Sequence, residues 1–250
     1  MTTRSLMVIL AHPDDESFPM GGTLAKMSAE GNHVHLVVAT RGEAGIVGKS
    51  AAETAVIRET ELRQACTELG IQQLTFLDYV DGALANIPDS EGADRLLTLM
   101  RQSPPDVVVT FGPDGISGHP DHLAVYRWTT AAFDQYQQEV ERPLRLYYIT
   151  PSEATQQGCG IPPPAEAVGG PVAFIDVGGF LVQKVRAAQQ HQSQYPPFKG
   201  DPESEAQNMA CHELFRLARP QIAANGHGPE TDLFAGLNGV NSQKSFRKIT

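Results

Sequence analysis

Apolar and polar residues alternate along this chain in blocks, not one by one. Residues 6–10, Leu6-Met7-Val8-Ile9-Leu10, form an unbroken apolar run of strand length. Residues 21–30 carry Leu24, Ala25 and Met27 near helical spacing and stop at Gly31. Residues 34–39 are strand-like again, and 42–49 read as loop. Across 53–69, Val56, Ile57, Leu62, Ala65 and Leu69 keep a helical period, and Gly70 ends it as a C-terminal glycine does. A third strand is predicted at 74–77, a shorter helix around 94–101, a fourth strand at 107–110, a helix at 122–136 and a fifth strand at 144–149.

Strands alternating with helices predict βαβ units, hence an α/β, Rossmann-like, mainly parallel sheet with helices on both faces. Strands covered on both faces read as continuous apolar runs, as these do. The turn after the first strand has no GxGxxG. It reads Ala11-His12-Pro13-Asp14-Asp15-Glu16, and its carboxylates would repel a pyrophosphate, which argues against a nucleotide there.

The pattern changes after residue 150. Residues 151–171, with Ile161-Pro162-Pro163-Pro164, are rich in Gly and Pro and read as an irregular loop over the site. A strand at 172–177 and helices at 179–191 and 203–217 are expected to follow. Residues 1–250 are read as one domain, with 1–150 the Rossmann-like core and 151–250 an extension packed on it.

Composition narrows the class. A formal net charge of -10 disfavours nonspecific nucleic-acid binding and a polybasic membrane patch. Cys66, Cys159 and Cys211 form no CxxC pair, so a thiolate zinc site is not expected. There is no signal-peptide pattern and no apolar run long enough to span a bilayer. The expectation is a soluble cytoplasmic protein with no nucleic-acid or membrane partner; a homo-oligomer remains open.

The chemistry gathers at two strand ends. His12, Asp14 and Asp15 follow the first strand, and His119-Pro120-Asp121-His122 follows the fourth. Ligands of open α/β sheets bind at the carboxyl ends of strands. Two His and one carboxylate form a ligand set for zinc or ferrous iron, and His12, Asp15 and His122 are the candidates. Asp14, whose side chain diverges from that of Asp15, is then free to act as general base. His119 is placed to stabilise an oxyanion or protonate a leaving amine, with Asp121 orienting it. Each cluster alone has an ordinary explanation: Asp14 and Asp15 as helix caps, Pro120 and Asp121 as a helix start. Together those explanations leave two His-bearing strand ends unaccounted for.

These motifs resemble the LmbE-like, or PIG-L, zinc-dependent N-acetylglucosaminyl deacetylases. The likeness continues through Thr40-Arg41-Gly42-Glu43-Ala44-Gly45, Ile57-Arg58-Glu59-Thr60-Glu61-Leu62, Tyr79-Val80-Asp81-Gly82, His191-Gln192-Ser193-Gln194 and Pro229-Glu230-Thr231-Asp232-Leu233-Phe234. The resemblance implies removal of an N-acetyl group from a small amino-sugar substrate. It places the zinc ligands on His12, Asp15 and His122, the base on Asp14 and the oxyanion-stabilising histidine on His119. It also implies substrate-binding roles for Arg58, Asp81 and His191. For each, an ordinary role competes: a helix-surface ion pair, a turn residue beside Gly82, and a cation at a helix end. Glu43 is read as organising its loop, and Glu16 as structural. Mycothiol-pathway members carry a tyrosine two residues before the histidine matching His119. In this chain that residue is Ser117, which turns the expectation toward another anionic conjugate held by Arg58, such as N-acetylglucosaminyl-malate of bacillithiol synthesis.

Two rivals share these residues. One is a metal-dependent amidohydrolase acting on a different N-acyl group, separable by a substrate panel. The other is a noncatalytic metal-dependent sugar-binding protein, which would need neither Asp14 nor His119.

Overall fold

In the computed structural model, which describes residues 3–150, 172–196, 198–220 and 230–237, the predicted blocks become β1 (Ser5–Leu10), α1 (Ser17–Ala29), β2 (His33–Val38), α2 (Ala51–Leu69), β3 (Gln73–Phe76), α3 (Asp89–Gln102), β4 (Val107–Thr110), the one-turn α4 (Gly115–Gly118), α5 (Pro120–Glu139) and β5 (Arg145–Thr150). After them come β6 (Val172–Asp176), α6 (Leu181–Gln190), the short α7 (Pro202–Ala206) and β7 (His212–Arg219). The loop at 151–171, with Cys159, lies outside the described residues, as does Pro229.

The seven strands form one sheet in the order β3-β2-β1-β4-β5-β7-β6. β1 to β5 run parallel, while β7 is antiparallel to both β5 and β6. From β1 the chain moves outward to β3, then crosses back to β4 on the other side of β1. The gap between β1 and β4 is therefore the topological switch point, where open sheets bind ligands. α1, α2 and α6 pack together, and so do α3 and α5. Leu6, Val8, Ile9 and Leu10 are fully buried, as are Trp128, Phe111, Phe133 and Tyr147; each such aliphatic side chain contributes roughly 1.5–3 kcal/mol.

Two expectations change. Residues 203–217 do not form one helix: α7 ends at Ala206 and β7 follows. Glu213, Phe215 and Leu217 are buried on alternate positions, a period of two that marks a strand. Secondly, α1 begins at Ser17, not at 21. Gly21-Gly22 reads locally as a breaker, but a Cβ on Gly22 would stand 2.7 Å from Val177 Cβ. Close approach to the C-terminal third requires the glycine there. Glu213 of β7 reinforces that contact by accepting from the amides of Gly22 (3.0 Å) and Thr23 (2.7 Å) and from Lys184 Nζ (2.5 Å). Among the described residues no helix is long and apolar enough to cross a membrane.

Candidate active site

The two clusters meet at the switch point. The turn after β1 carries residues 11–16, and the segment after β4 carries Phe111 to the start of α5. His119 is the N-cap of α5, with extended backbone (φ -60°, ψ 128°), and Pro120 opens the helix, a position that suits its fixed φ. Asp121 and His122 therefore sit in the first turn, facing the β1 turn.

Three donor groups converge. His12 Nδ1 lies 3.5 Å from Asp15 Oδ2, and His122 Nε2 lies 3.3 Å from Asp15 Oδ1. The far nitrogen of each ring is already engaged. His12 Nε2 is 3.2 Å from Asp121 Oδ2 and 3.1 Å from Asp81 Oδ1, and His122 Nδ1 is 2.9 Å from the Gly115 carbonyl. Acceptors on the far side fix the protons there and turn both lone pairs toward Asp15. The His12 amide donates to Asp15 Oδ2 at 2.8 Å, and Phe111 stacks on His122 with ring centroids 4.0 Å apart. Two imidazole lone pairs and one held carboxylate suit a divalent cation.

The electrostatics agree. Burial works against a charged His12, but its bonds to Asp121, Asp15 and Asp81 outweigh this and raise its pKa strongly. Burial likewise opposes ionisation of Asp15, yet His122 and His12 hold it below the usual carboxylate range. The spot between them thus attracts positive charge. Among the described residues, His12, His119 and His122 offer donor atoms within 4.8 Å of one another, as do His12, Asp81 and Asp121. We take Asp15 over His119 as the third ligand. Asp15 touches both rings, whereas His119 Nδ1 accepts from the Asp121 amide at 3.2 Å. That bond leaves the proton on His119 Nε2, a donor on the most open of the three rings. Burial, then the neighbouring His12 and His122, lower the pKa of His119.

Asp14 stands beside the cluster at φ 104°, a backbone conformation that favours glycine. Its amide donates to Glu16 Oε2 at 3.0 Å, and its Oδ2 accepts from Arg58 at 3.1 Å. Burial and then Asp15 raise its pKa, against the lowering effect of Arg58 and His191. Arg58 reaches in from α2, 4% exposed, and also donates to the carbonyls of Pro13 (2.5 Å) and Gly42 (3.1 Å). A Cβ on Gly42 would fall 2.2 Å from its guanidinium, so the glycine of the 40–45 motif makes the slot that this arginine fills.

The fold brings all nine candidate residues into this region, in different positions. His12, Asp15, His119 and His122 form one cluster, with Asp14 beside it. Asp121 lies behind His12, not behind His119, and also accepts the amides of Gly82 (2.8 Å) and Leu84 (3.1 Å). Asp81 contacts His12 and takes the Ala44 amide at 3.0 Å, while Glu43 takes the Asp81 amide at 2.9 Å. His191 is fully buried and paired with Glu16 at 2.7 Å. Phe111 is a contributor that the sequence did not reveal, and Glu61, quoted only as part of the 57–62 motif, accepts from the Ser193 amide (2.8 Å) and hydroxyl (2.6 Å). Nothing in their spacing distinguishes them from ordinary core and helix residues.

Residues 7–133 match the family model described as PIG-L: GlcNAc-PI de-N-acetylase. A 1D-myo-inositol 2-acetamido-2-deoxy-alpha-D-glucopyranoside deacetylase of Mycobacteroides abscessus is 33% identical, covering 95% of this chain and 99% of its own. The protein of the same name from Saccharomonospora viridis is 32% identical, covering 93% and 100%. Among solved structures, N,N'-diacetylchitobiose deacetylase from Pyrococcus horikoshii superposes with a TM-score of 0.62 at 25% identity, covering 86% of this chain and 83% of its own.

Proposed function

The chain belongs to the PIG-L de-N-acetylase family, and from that premise we propose that it hydrolyses the acetamide of a 2-acetamido-2-deoxyglucoside carried on a small polar aglycone. The observation that carries the reading is the convergence of His12, Asp15 and His122 beside Asp14. A divalent cation held by those three side chains, zinc in our reading with ferrous iron as the alternative, supplies Lewis acidity toward the acetyl carbonyl and the attacking water. Asp14 accepts the proton of that water, since its raised pKa makes it a competent base near neutrality. His119 Nε2–H donates to the developing oxyanion. The proton taken by Asp14 passes to the departing nitrogen, so that acetate and a free amine leave.

Two observations support a choice of aglycone. Arg58, the residue expected to anchor a malate-linked substrate, is buried and shared among Pro13, Gly42 and Asp14. A neutral polyol such as inositol, the aglycone in the relatives' names, needs no such anchor and is our choice. Residues 1–250 are read as one functional unit, in which the C-terminal third reaches the catalytic turn through His191.

Acetate release from 1D-myo-inositol 2-acetamido-2-deoxy-alpha-D-glucopyranoside, N-acetylglucosaminyl-malate and N-acetylglucosamine tests the reading. Preference for the inositol glycoside is expected. Asp14→Ala and His119→Ala are each expected to keep their metal and to lose about 10²- to 10⁴-fold in kcat. Full activity in both variants would refute the roles of Asp14 as base and His119 as oxyanion donor.

A further inference from the structure

Glu16 is buried without taking part in the chemistry just described. It is 0% exposed, and its carboxylate accepts three hydrogen bonds: from the Asp14 amide (3.0 Å), from Ser17 Oγ (2.5 Å) and from His191 Nε2 (2.7 Å). His191 is also 0% exposed and comes from the end of α6, 175 residues away in sequence. We propose that Glu16 and His191 are positioning residues that together hold the Asp14 backbone in its active conformation. The proposal rests on the reading of Asp14 as the general base.

Glu16 holds the N-cap place of α1, yet its side chain makes no capping bond to that helix. It turns back along the chain to the amide of Asp14. That residue sits at φ 104° without being glycine, a backbone that persists only where its surroundings over-determine it. The hydrogen bond from that amide to Glu16 is one such constraint; the Ser17 and Phe18 amides on the Asp14 carbonyl (3.0 and 3.3 Å) and Arg58 on the carboxylate are others. A carboxylate deprived of water must have its lone pairs satisfied, and His191 with Ser17 does this from the side away from Asp14.

His191 is itself held in place. Two residues on, Ser193 gives both its amide and its hydroxyl to Glu61 of α2. Next to it, Gln194 Nε2 reaches the Gly45 carbonyl of the 40–45 motif at 3.3 Å. The segment 191–194 is therefore fastened to α2, to the glycine loop and to the catalytic turn. The chain of contacts runs from α6 through His191 and Glu16 to the Asp14 backbone. Neither Glu16 nor His191 is open to substrate, so their influence on turnover passes through Asp14.

The test compares Glu16→Gln, His191→Gln, Asp14→Ala and the Glu16→Gln/Asp14→Ala double variant in metal-loaded full-length enzyme, with the inositol glycoside as substrate. The expected result is a loss of roughly 10- to 100-fold in kcat for each positioning variant, as for a small misplacement of a reacting group. KM stays within about threefold and metal content is unchanged. In the Asp14→Ala background, Glu16→Gln causes no further loss. A second readout is independent of turnover: the Asp14 amide proton resonance, shifted downfield by a carboxylate acceptor, moves upfield in Glu16→Gln. This resonance also decides the matter through His191→Gln should Glu16→Gln fail to fold. Wild-type kcat in both positioning variants, or an additive loss on top of Asp14→Ala, overturns the proposal. Wild-type activity in Asp14→Ala would overturn the base assignment itself, a separate and distinguishable failure.

Discussion

His12 Nε2 and Asp121 Oδ2 stand 3.2 Å apart, from residues 109 positions apart in sequence. The pair joins the end of β1 to the first turn of α5. With a proton on Nε2 directed to Asp121, Nδ1 is the nitrogen that faces Asp15 in the proposed metal site. Asp121 is buried with two backbone amides on it. Burial opposes its ionisation, but the His12 bond and those amides keep its pKa below the ordinary carboxylate value.

Asp121→Asn keeps the shape and removes the charge behind His12. Metal affinity is expected to fall by about 10- to 100-fold, as for other carboxylates behind ligating histidines. Competition titration against a chelator measures this. Unchanged affinity would mean that Asp121 does not orient His12. Complete removal of metal by the same chelator should abolish acetate release, and re-addition should restore it.

Arg58→Lys tests the fork that grips the catalytic turn. An ammonium keeps the charge but cannot reach Pro13 O, Gly42 O and Asp14 together. A loss of roughly tenfold or more in kcat is expected, given how sharply rate depends on placement. If KM for the inositol glycoside rises instead while kcat is preserved, Arg58 binds substrate and does not position Asp14.

Glu213→Ala removes the acceptor for Lys184 and for the amides of Gly22 and Thr23. It leaves an ammonium with a side chain 8% exposed and without its counter-charge. Breaking a buried pair in this way costs about 3–5 kcal/mol, measurable by denaturant unfolding. The turnover of the protein that remains folded should be unaltered, since Glu213 bonds to Gly22, Thr23 and Lys184 and to none of His12, Asp14, Asp15, His119 or His122.

His35 gives the fold an acid sensitivity. It is 1% exposed on β2, with Nε2 2.9 Å from Thr75 Oγ1 and no partner for Nδ1. Burial, with a smaller effect from His33, lowers its pKa to about 4. The unfolded chain, titrating near its ordinary 6.5, therefore binds a proton that the folded chain does not. Stability from this group is fully present above pH 6.5 and falls as pH drops toward 4, by about 2 kcal/mol between pH 7 and 5. In His35→Gln that part of the decline should vanish. An identical pH profile in the variant would show that His35 is not its source.

Much of this protein was legible in one dimension. The apolar run at 6–10 and the apolar-rich stretches at 34–39 and 107–110 read as strands buried on both faces, so the parallel core and its strand-end clusters followed. His12, Asp15 and His122 stand out in the sequence because their chemistry is rare at strand ends. Periodicity failed where distant packing decides local structure. Gly21-Gly22 lies inside a helix because Val177 needs the space. Residues 212–219 became a strand because β5 and β6 offered open edges on either side.

The sequence by itself determined the parallel α/β core and the two His/Asp clusters at its strand ends, since both depend on residue type and on period. Only the tertiary structure decided which carboxylate backs which histidine, that Arg58 is spent on the catalytic turn, and that His191 reaches Asp14 through Glu16. Those outcomes depend on distances between segments far apart in the chain. A buried charge takes whichever partner packing brings within about 3 Å, and no local pattern encodes that.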